Sequence, residues 1–326
     1  MWGWITDWES SGYYDMTLIV DFHSHVFPDL FKGSEMIPVG GINRLRGVTR
    51  QWLRPLSKSI HGAQSLIRHL PRFARESVDS VSAVLPLASL IVESNLGDLL
   101  AAMDEAQVSF SVVIAQPPWT SNEFILSLAA SNPRLIPVVN IPKGTQKPGQ
   151  ALKGYVQKGA RALKIHPAFD GEDINSPRYR SLLRAADELN LPVILHTGCT
   201  HSKFLYRNPD QGSAENFVKW YETFKDVRFI LAHMNFHEPN TALDLCEEFS
   251  NLWVDTSRQP AEVIGEAARR IGAERVLFGT DWPFMGSNLI LGKSRIQDGI
   301  ETGLLNEAQG RLILGENAAK ILNLGS

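Results

Sequence analysis

The sequence predicts an α/β fold, a (β/α)8 barrel of TIM type with a helical, basic insertion after its first strand. Two observations predict it. Eight short, nearly continuous apolar runs are each followed by sequence of helical spacing, as expected when strands are covered on both faces. From the second run on, the repeat is about 23 to 35 residues, the size of one β/α unit. A third observation removes the main competitor, an open doubly wound sheet: no glycine-rich dinucleotide turn follows the first strand.

The first strand is "LIVDFHSH", Leu18 to His25. Alternation would turn Asp21, His23 and His25 to one side, and two adjacent imidazoles suit a metal ion. The second strand is "FSVVIAQP" (Phe110 to Pro117), followed by a helix over Asn122 to Asn132 that Ser121 or Asn122 can cap. "LIPVVNIP" (Leu135 to Pro142) is the third, with a helix from Pro148 closed by Gly159. "ARALKIHP" (Ala160 to Pro167) is the fourth, and its helix starts with Ser176 as cap and a proline in the first turn. The remaining strands are "LPVILHTG" (Leu191 to Gly198), "VRFILAHM" (Val227 to Met234), "LWVDTS" (Leu252 to Ser257) and "RVLFGTDWP" (Arg275 to Pro283). Helices are expected over Ala214 to Phe224, Glu238 to Phe249 and Pro260 to Gly272, and again at the C-terminus in "NEAQGRLILGENAAKILNL".

About 80 residues separate strands one and two, far beyond an ordinary connection. The expected organisation is an aromatic tail over residues 1–16, with Trp2, Trp4, Trp8, Tyr13 and Tyr14, and a single barrel over 17–326 with an insertion at about 27–95. The insertion holds an acid-free basic stretch, Asn43 to Arg75. Rising from the mouth of the barrel, it reads equally as a lid that attracts an anionic substrate and as a helical cap with a solvated basic face.

A chain of 326 residues that is 44% hydrophobic with a formal charge of −3 fits a globular protein and gives no reason to expect nucleic acid as partner. The longest apolar stretch, Ser80 to Val92, is broken by Pro86 and too short to span a bilayer. Two distant cysteines, Cys199 and Cys246, and no export signal point to the cytoplasm. The aromatic tail, the basic insertion and the Ser80 to Val92 stretch are candidate contact surfaces, compatible with a homodimer, and the sequence leaves the oligomeric state open.

The chemistry-bearing residues fall at strand ends. His23 and His25 end strand one, His196 ends strand five, His233 strand six and Asp281 strand eight. In a barrel these five converge on one mouth. Neutral imidazoles and a carboxylate suit one divalent ion, zinc first, with manganese, iron or cobalt as alternatives. Such an ion brings the pKa of a bound water from about 16 toward 7. Asp281 could both bind the ion and accept that proton; a histidine not committed to the ion could shuttle protons. In strand four, Lys164 and His166 share parity and could both face the mouth. Asp255, Arg258, Thr197, Cys199, His201, Gln116, Trp119 and Asn140 are further polar or aromatic residues near strand ends, read as packing or hydrogen-bonding groups before substrate contacts. Trp282 and Phe284 are expected to wall the pocket.

Taken in order, "DFHSH", "ALKIHP", "VILHTG", "FILAHM", "LFGTDWP" and "LGENAAKILNL" make the chain resemble the amidohydrolase superfamily, in its amidohydrolase-related branch of small TIM-barrel enzymes. The resemblance implies His23, His25, His196 and Asp281 as metal ligands. It implies His233 as a further ligand or as the acid and base beside the metal. In two-metal members a lysine at the position of Lys164 is carboxylated and bridges the ions. The one-metal branch lacks that bridge, so an uncarboxylated amine and a single ion are expected, with His166 as a substrate contact. The implied reaction is hydrolysis of a small amide, lactone or ester, with non-oxidative decarboxylation of an aromatic or conjugated acid as the alternative.

Overall fold

The structure, a computed structural model, describes residues 18–29, 66–82, 93–198, 206, 208–284 and 289–324. The aromatic tail, the insertion up to residue 65, most of the Ser80 to Val92 stretch, Cys199 and His201 lie outside the described residues.

Eight strands form one parallel sheet in chain order: β1 (Val20–Ser24), β2 (Phe110–Ile114), β3 (Leu135–Val139), β4 (Ala162–Ile165), β5 (Val193–His196), β6 (Phe229–Ala232), β7 (Leu252–Asp255) and β8 (Val276–Leu277). The sheet closes on itself. Phe22 N–H bonds Phe278 O at 2.7 Å, Asp281 N–H bonds His23 O at 2.7 Å, and His25 N–H bonds Trp282 O at 2.6 Å. The fold is thus the predicted TIM-type barrel. Every observed strand lies inside its expected run, trimmed where a proline or a turn ends pairing. β8 is the shortest, and by Asp281 the chain has turned into left-handed backbone at φ 60°.

Alternation sorts the strand residues into two layers. Val112, Ile114, Val138, Ile194, Ile230 and Leu277 face inward, joined by Ala318, Ile321 and Leu322 of the terminal helix Asn317–Leu322, which plugs the end where the strands begin. Val113, Leu163, Leu195, Leu231 and Val254 face outward against helix residues such as Met103, Leu152, Leu183 and Ile264. The helices between strands occupy Asn122–Ser131, Pro148–Gln157, Pro177–Glu188, Pro239–Glu248 and Ala261–Ile271.

Three local expectations change. Ser121, not Asn122, caps its helix. Asn122 is buried and clamps Asn140 at the end of β3, donating to its carbonyl at 3.0 Å and accepting from its N–H at 2.9 Å. Ser176 makes no side-chain cap. The Ala214 to Phe224 helix opens as a 3-10 turn, Ala214–Phe217, before Val218–Thr223 turns regular; its first N–H is bound at 2.9 Å by the Asn235 side chain.

Of the insertion, the helix Arg72–Ser82 is described. It docks beside the turn that follows β6: Arg75 reaches Glu238 at 2.9 Å and Asp79 accepts from His237 at 3.1 Å. Among the described residues no helix is long and apolar enough to cross a membrane.

Candidate active site

The site begins with an irregularity in β1. Asp21 pairs with Ser111, but Ser24 pairs with Val113, so β1 spends one residue more than β2 over the same span. That is a β-bulge, and it reverses the alternation beyond it. Val20 and Phe22 stay in the inner layer. His23 and His25 then also turn inward. Asp21, between Val20 and Phe22, faces the opposite side, which corrects the expectation that it joins the two histidines. Its carboxylate pins the bulge by accepting from His23 N–H at 3.2 Å, Thr280 N–H at 3.0 Å and Thr280 Oγ1 at 2.8 Å. Burial pushes its pKa up to about 8.

Both histidines have fixed orientations. His25 Nδ1 donates to the carbonyl of Ile114 at 3.2 Å, which leaves Nε2 bare. His23 Nδ1 meets Asp255 Oδ2 at 2.8 Å, which directs its Nε2 to the mouth. Asp281 Oδ1 lies 3.5 Å from His25 Nε2 and 3.7 Å from His23 Nε2. Donor atoms of His23, His25 and Asp281 all fall within 4.8 Å of one another, as do those of His23, His233 and Asp255. The first group could hold a metal ion. His196 stands one ring further away, outside both groups. It meets His233 edge-on at 4.7 Å and stacks on His166 at 3.6 Å between centroids. Lys164 Nζ is buried 3.4 Å from His23 Nε2. All seven sequence-derived candidates therefore line one mouth.

The electrostatics suit neutral ligands around one anion. Burial drives His25 down to about 4 and holds His166, His196 and His233 well below the usual imidazole range. Burial alone would raise Asp281. Arg258 Nε, donating to Asp281 Oδ2 at 2.7 Å, is the leading cause that brings it well below the ordinary carboxylate range instead, with His233 and His25 adding to it. His233, Arg258 and Asp281 sit in left-handed backbone at φ 63°, 63° and 60°. Such strain concentrates where side-chain placement matters. The turn after β6 is packed tightly: a Cβ on Gly198, itself at φ +63°, would collide with the backbone of Asn235.

Aromatic walls flank the polar centre. Phe27 and Phe284 lie beside His25, the latter edge-on at 5.4 Å. Phe169 bridges His166 and Trp119 at 5.7 and 5.2 Å, and Tyr206 lies 5.4 Å from His166. Trp282 is buried. Tyr206, Phe169 and Ser257 were not legible as site residues: Tyr206 and Ser257 lie in loops outside the quoted motifs, and Phe169 sits in the short helix Pro167–Asp170 just past "ALKIHP". Asp255 and Arg258 were seen only as nearby polar groups.

An alternating barrel with buried imidazoles and a carboxylate at its mouth defines a barrel enzyme. A family model described as amidohydrolase, the amidohydrolase 2 type, matches residues 20–324, and the chain belongs to that family. No curated protein matches the chain. Solved structures match in fold. An uncharacterised TIM-barrel protein from Bordetella bronchiseptica is 19% identical over 94% of this chain and 98% of its own, with a TM-score of 0.63. A 2,6-dihydroxybenzoate decarboxylase in complex with 2,6-dihydroxybenzoate is 16% identical over 95% of this chain and 100% of its own, TM-score 0.61. A probable 2-pyrone-4,6-dicarboxylic acid hydrolase from Acinetobacter baumannii with citric acid bound is 15% identical over 94% and 99%, TM-score 0.55.

Proposed function

We propose that this enzyme is a metal-dependent hydrolase that uses water to open a small, flat, anionic amide, lactone or ester. The observation that carries the proposal is the convergence of His23, His25 and Asp281 donor atoms within 4.8 Å, with both imidazoles aimed by hydrogen bonds on their far nitrogens. His196 is the fourth ligand in this reading, and the set suits one ion, zinc first, with manganese, iron or cobalt as alternatives. When bound, the ion supplies Lewis acidity and an activated water. Asp281, kept anionic by Arg258, takes the proton of the attacking water. His233, neutral and one ring away, takes up that proton in turn and hands it on to the leaving atom. Lys164 acts as an uncarboxylated amine that binds a substrate carboxylate, and His166 contacts the substrate beside it. The setting is cytoplasmic, on the sequence features given above, and a homodimer is compatible with the candidate contact surfaces; the partner is a small molecule, not nucleic acid or a membrane.

The aromatic walls favour a second reading, non-oxidative decarboxylation of a conjugated acid, with His233 first taking up a proton and then delivering it to carbon. The likeness to a dihydroxybenzoate decarboxylase supports it as far as fold goes. A zinc-reconstituted enzyme offered 2-pyrone-4,6-dicarboxylate and 2,6-dihydroxybenzoate separates the two. Hydrolysis predicts proton release on lactone opening without carbon dioxide. Carbon dioxide from the benzoate with an intact lactone would replace the first reading by the second.

A further inference from the structure

The residues that follow β7 form a row aimed at the turn carrying His233. Asp255 Oδ1 accepts the backbone N–H of His233 at 3.0 Å and that of Ser257 at 3.0 Å. The Ser257 hydroxyl also contacts Asp255 Oδ1 closely, and His233 Nδ1 lies 2.7 Å from the same hydroxyl. Gln259 Nε2 donates to the carbonyls of His233 and Phe236 at 2.7 and 2.9 Å. Asp255, Ser257 and His233 are all nearly or fully inaccessible to solvent.

The protons in this row can be counted. Two backbone N–H groups converge on Asp255 Oδ1, so this carboxylate is an acceptor. Its other oxygen then receives the Nδ1–H of His23. Ser257 has a single hydroxyl proton, and an acceptor stands on one side of it. That proton goes to Asp255. The Ser257 oxygen is left to accept, so His233 must carry its proton on Nδ1 and present a bare Nε2 at the opposite edge of the ring. We propose that Asp255 and Ser257 are positioning residues that set the tautomers of His23 and His233 together, Asp255 directly and Ser257 as a relay. One buried carboxylate thereby readies a metal-facing nitrogen on His23 and a proton-accepting nitrogen on His233. The consequence for chemistry rests on the proposed function above; the tautomer assignment itself does not.

The test is histidine 15N–1H NMR on the whole protein, zinc-loaded and zinc-free, at about pH 8. The His233 signals are identified by their loss in His233→Gln. The proposal predicts the Nδ1–H pattern for His233 in the wild type in both states. It predicts a mixed or Nε2–H pattern in Ser257→Ala and the wild-type pattern in Ser257→Thr. Asp255→Asn should weaken zinc binding, read by chelator competition, by about 10- to 100-fold. A wild-type His233 protonated on Nε2, or a Ser257→Ala spectrum unchanged at His233, overturns the assignment. Failure to bind zinc, with His233 still protonated on Nδ1, overturns the metal reading and leaves the relay standing.

Discussion

At the scale of single residues, burial keeps His25, His166, His196 and His233 neutral and Arg258 keeps Asp281 anionic, the charge states that the proposed metal site needs. His25 shows the cost. Its pKa falls to about 4 because burial penalises the imidazolium. As pH drops below the free imidazole value, the unfolded chain takes up that proton first and the folded chain does not, so stability falls between about pH 6.5 and 4. For His25 alone this amounts to roughly 3 kcal/mol. In metal-free protein, His25→Gln should flatten the acid slope of stability by about that amount, measured by urea unfolding across the range. Asp21, raised to about 8, runs in the opposite direction, but it is common to both proteins and cancels. Identical slopes would contradict the burial argument. Arg258 acts in the other sense. With its 2.7 Å contact removed in Arg258→Gln, the Asp281 pKa rises, so bound zinc should be lost at higher pH than in wild type. An unchanged pH of half-loss would mean that Arg258 does not set the charge of Asp281.

At the scale of elements, strand ends were legible and strand faces were not always so. His196, His233 and Asp281 were found because apolar runs stop at them, and the same apolar runs define the barrel. The face of β1 was misread. A bulge adds one residue to the strand, and nothing in "VDFHSH" marks it, because its cause lies far away in Thr280 and Ser111. The backbone of the β6 turn was equally hidden. Met234 to Phe236 adopt positive φ without a glycine, held by the Gln259 side chain and by the close approach of Gly198. Gly198→Ala should therefore destabilise the fold by about 1–3 kcal/mol, combining left-handed strain with overpacking against Asn235. Chemical denaturation measures it. A neutral change would show that the turn relaxes freely.

At the scale of the whole molecule, barrel topology does the assembling. Residues separated by more than 250 positions, His23 and Asp281, meet because β8 returns to close against β1. Repeat length and apolar patterning reveal that closure in the sequence alone. They do not reveal Tyr206, Phe169 or the relay through Ser257, which exist only once separate loops are folded onto one rim. For the same reason the pocket walls, and with them the substrate, depend on connections between strands and not on the barrel. The insertion helix Arg72–Ser82 reaches the turn bearing His233 by Arg75 and Asp79, so the added segment and the chemical centre share one structural support.

The claim on which the account depends is that one divalent ion is held by His23, His25, His196 and Asp281. Metal analysis after zinc loading and dialysis tests it most directly, on wild type and on His23→Ala, His196→Ala and Asp281→Ala, each checked for folding by circular dichroism. The account predicts about one zinc per chain in wild type and its loss in each folded variant. Wild-type zinc content in the His23→Ala or Asp281→Ala protein would contradict the ligand set at its centre.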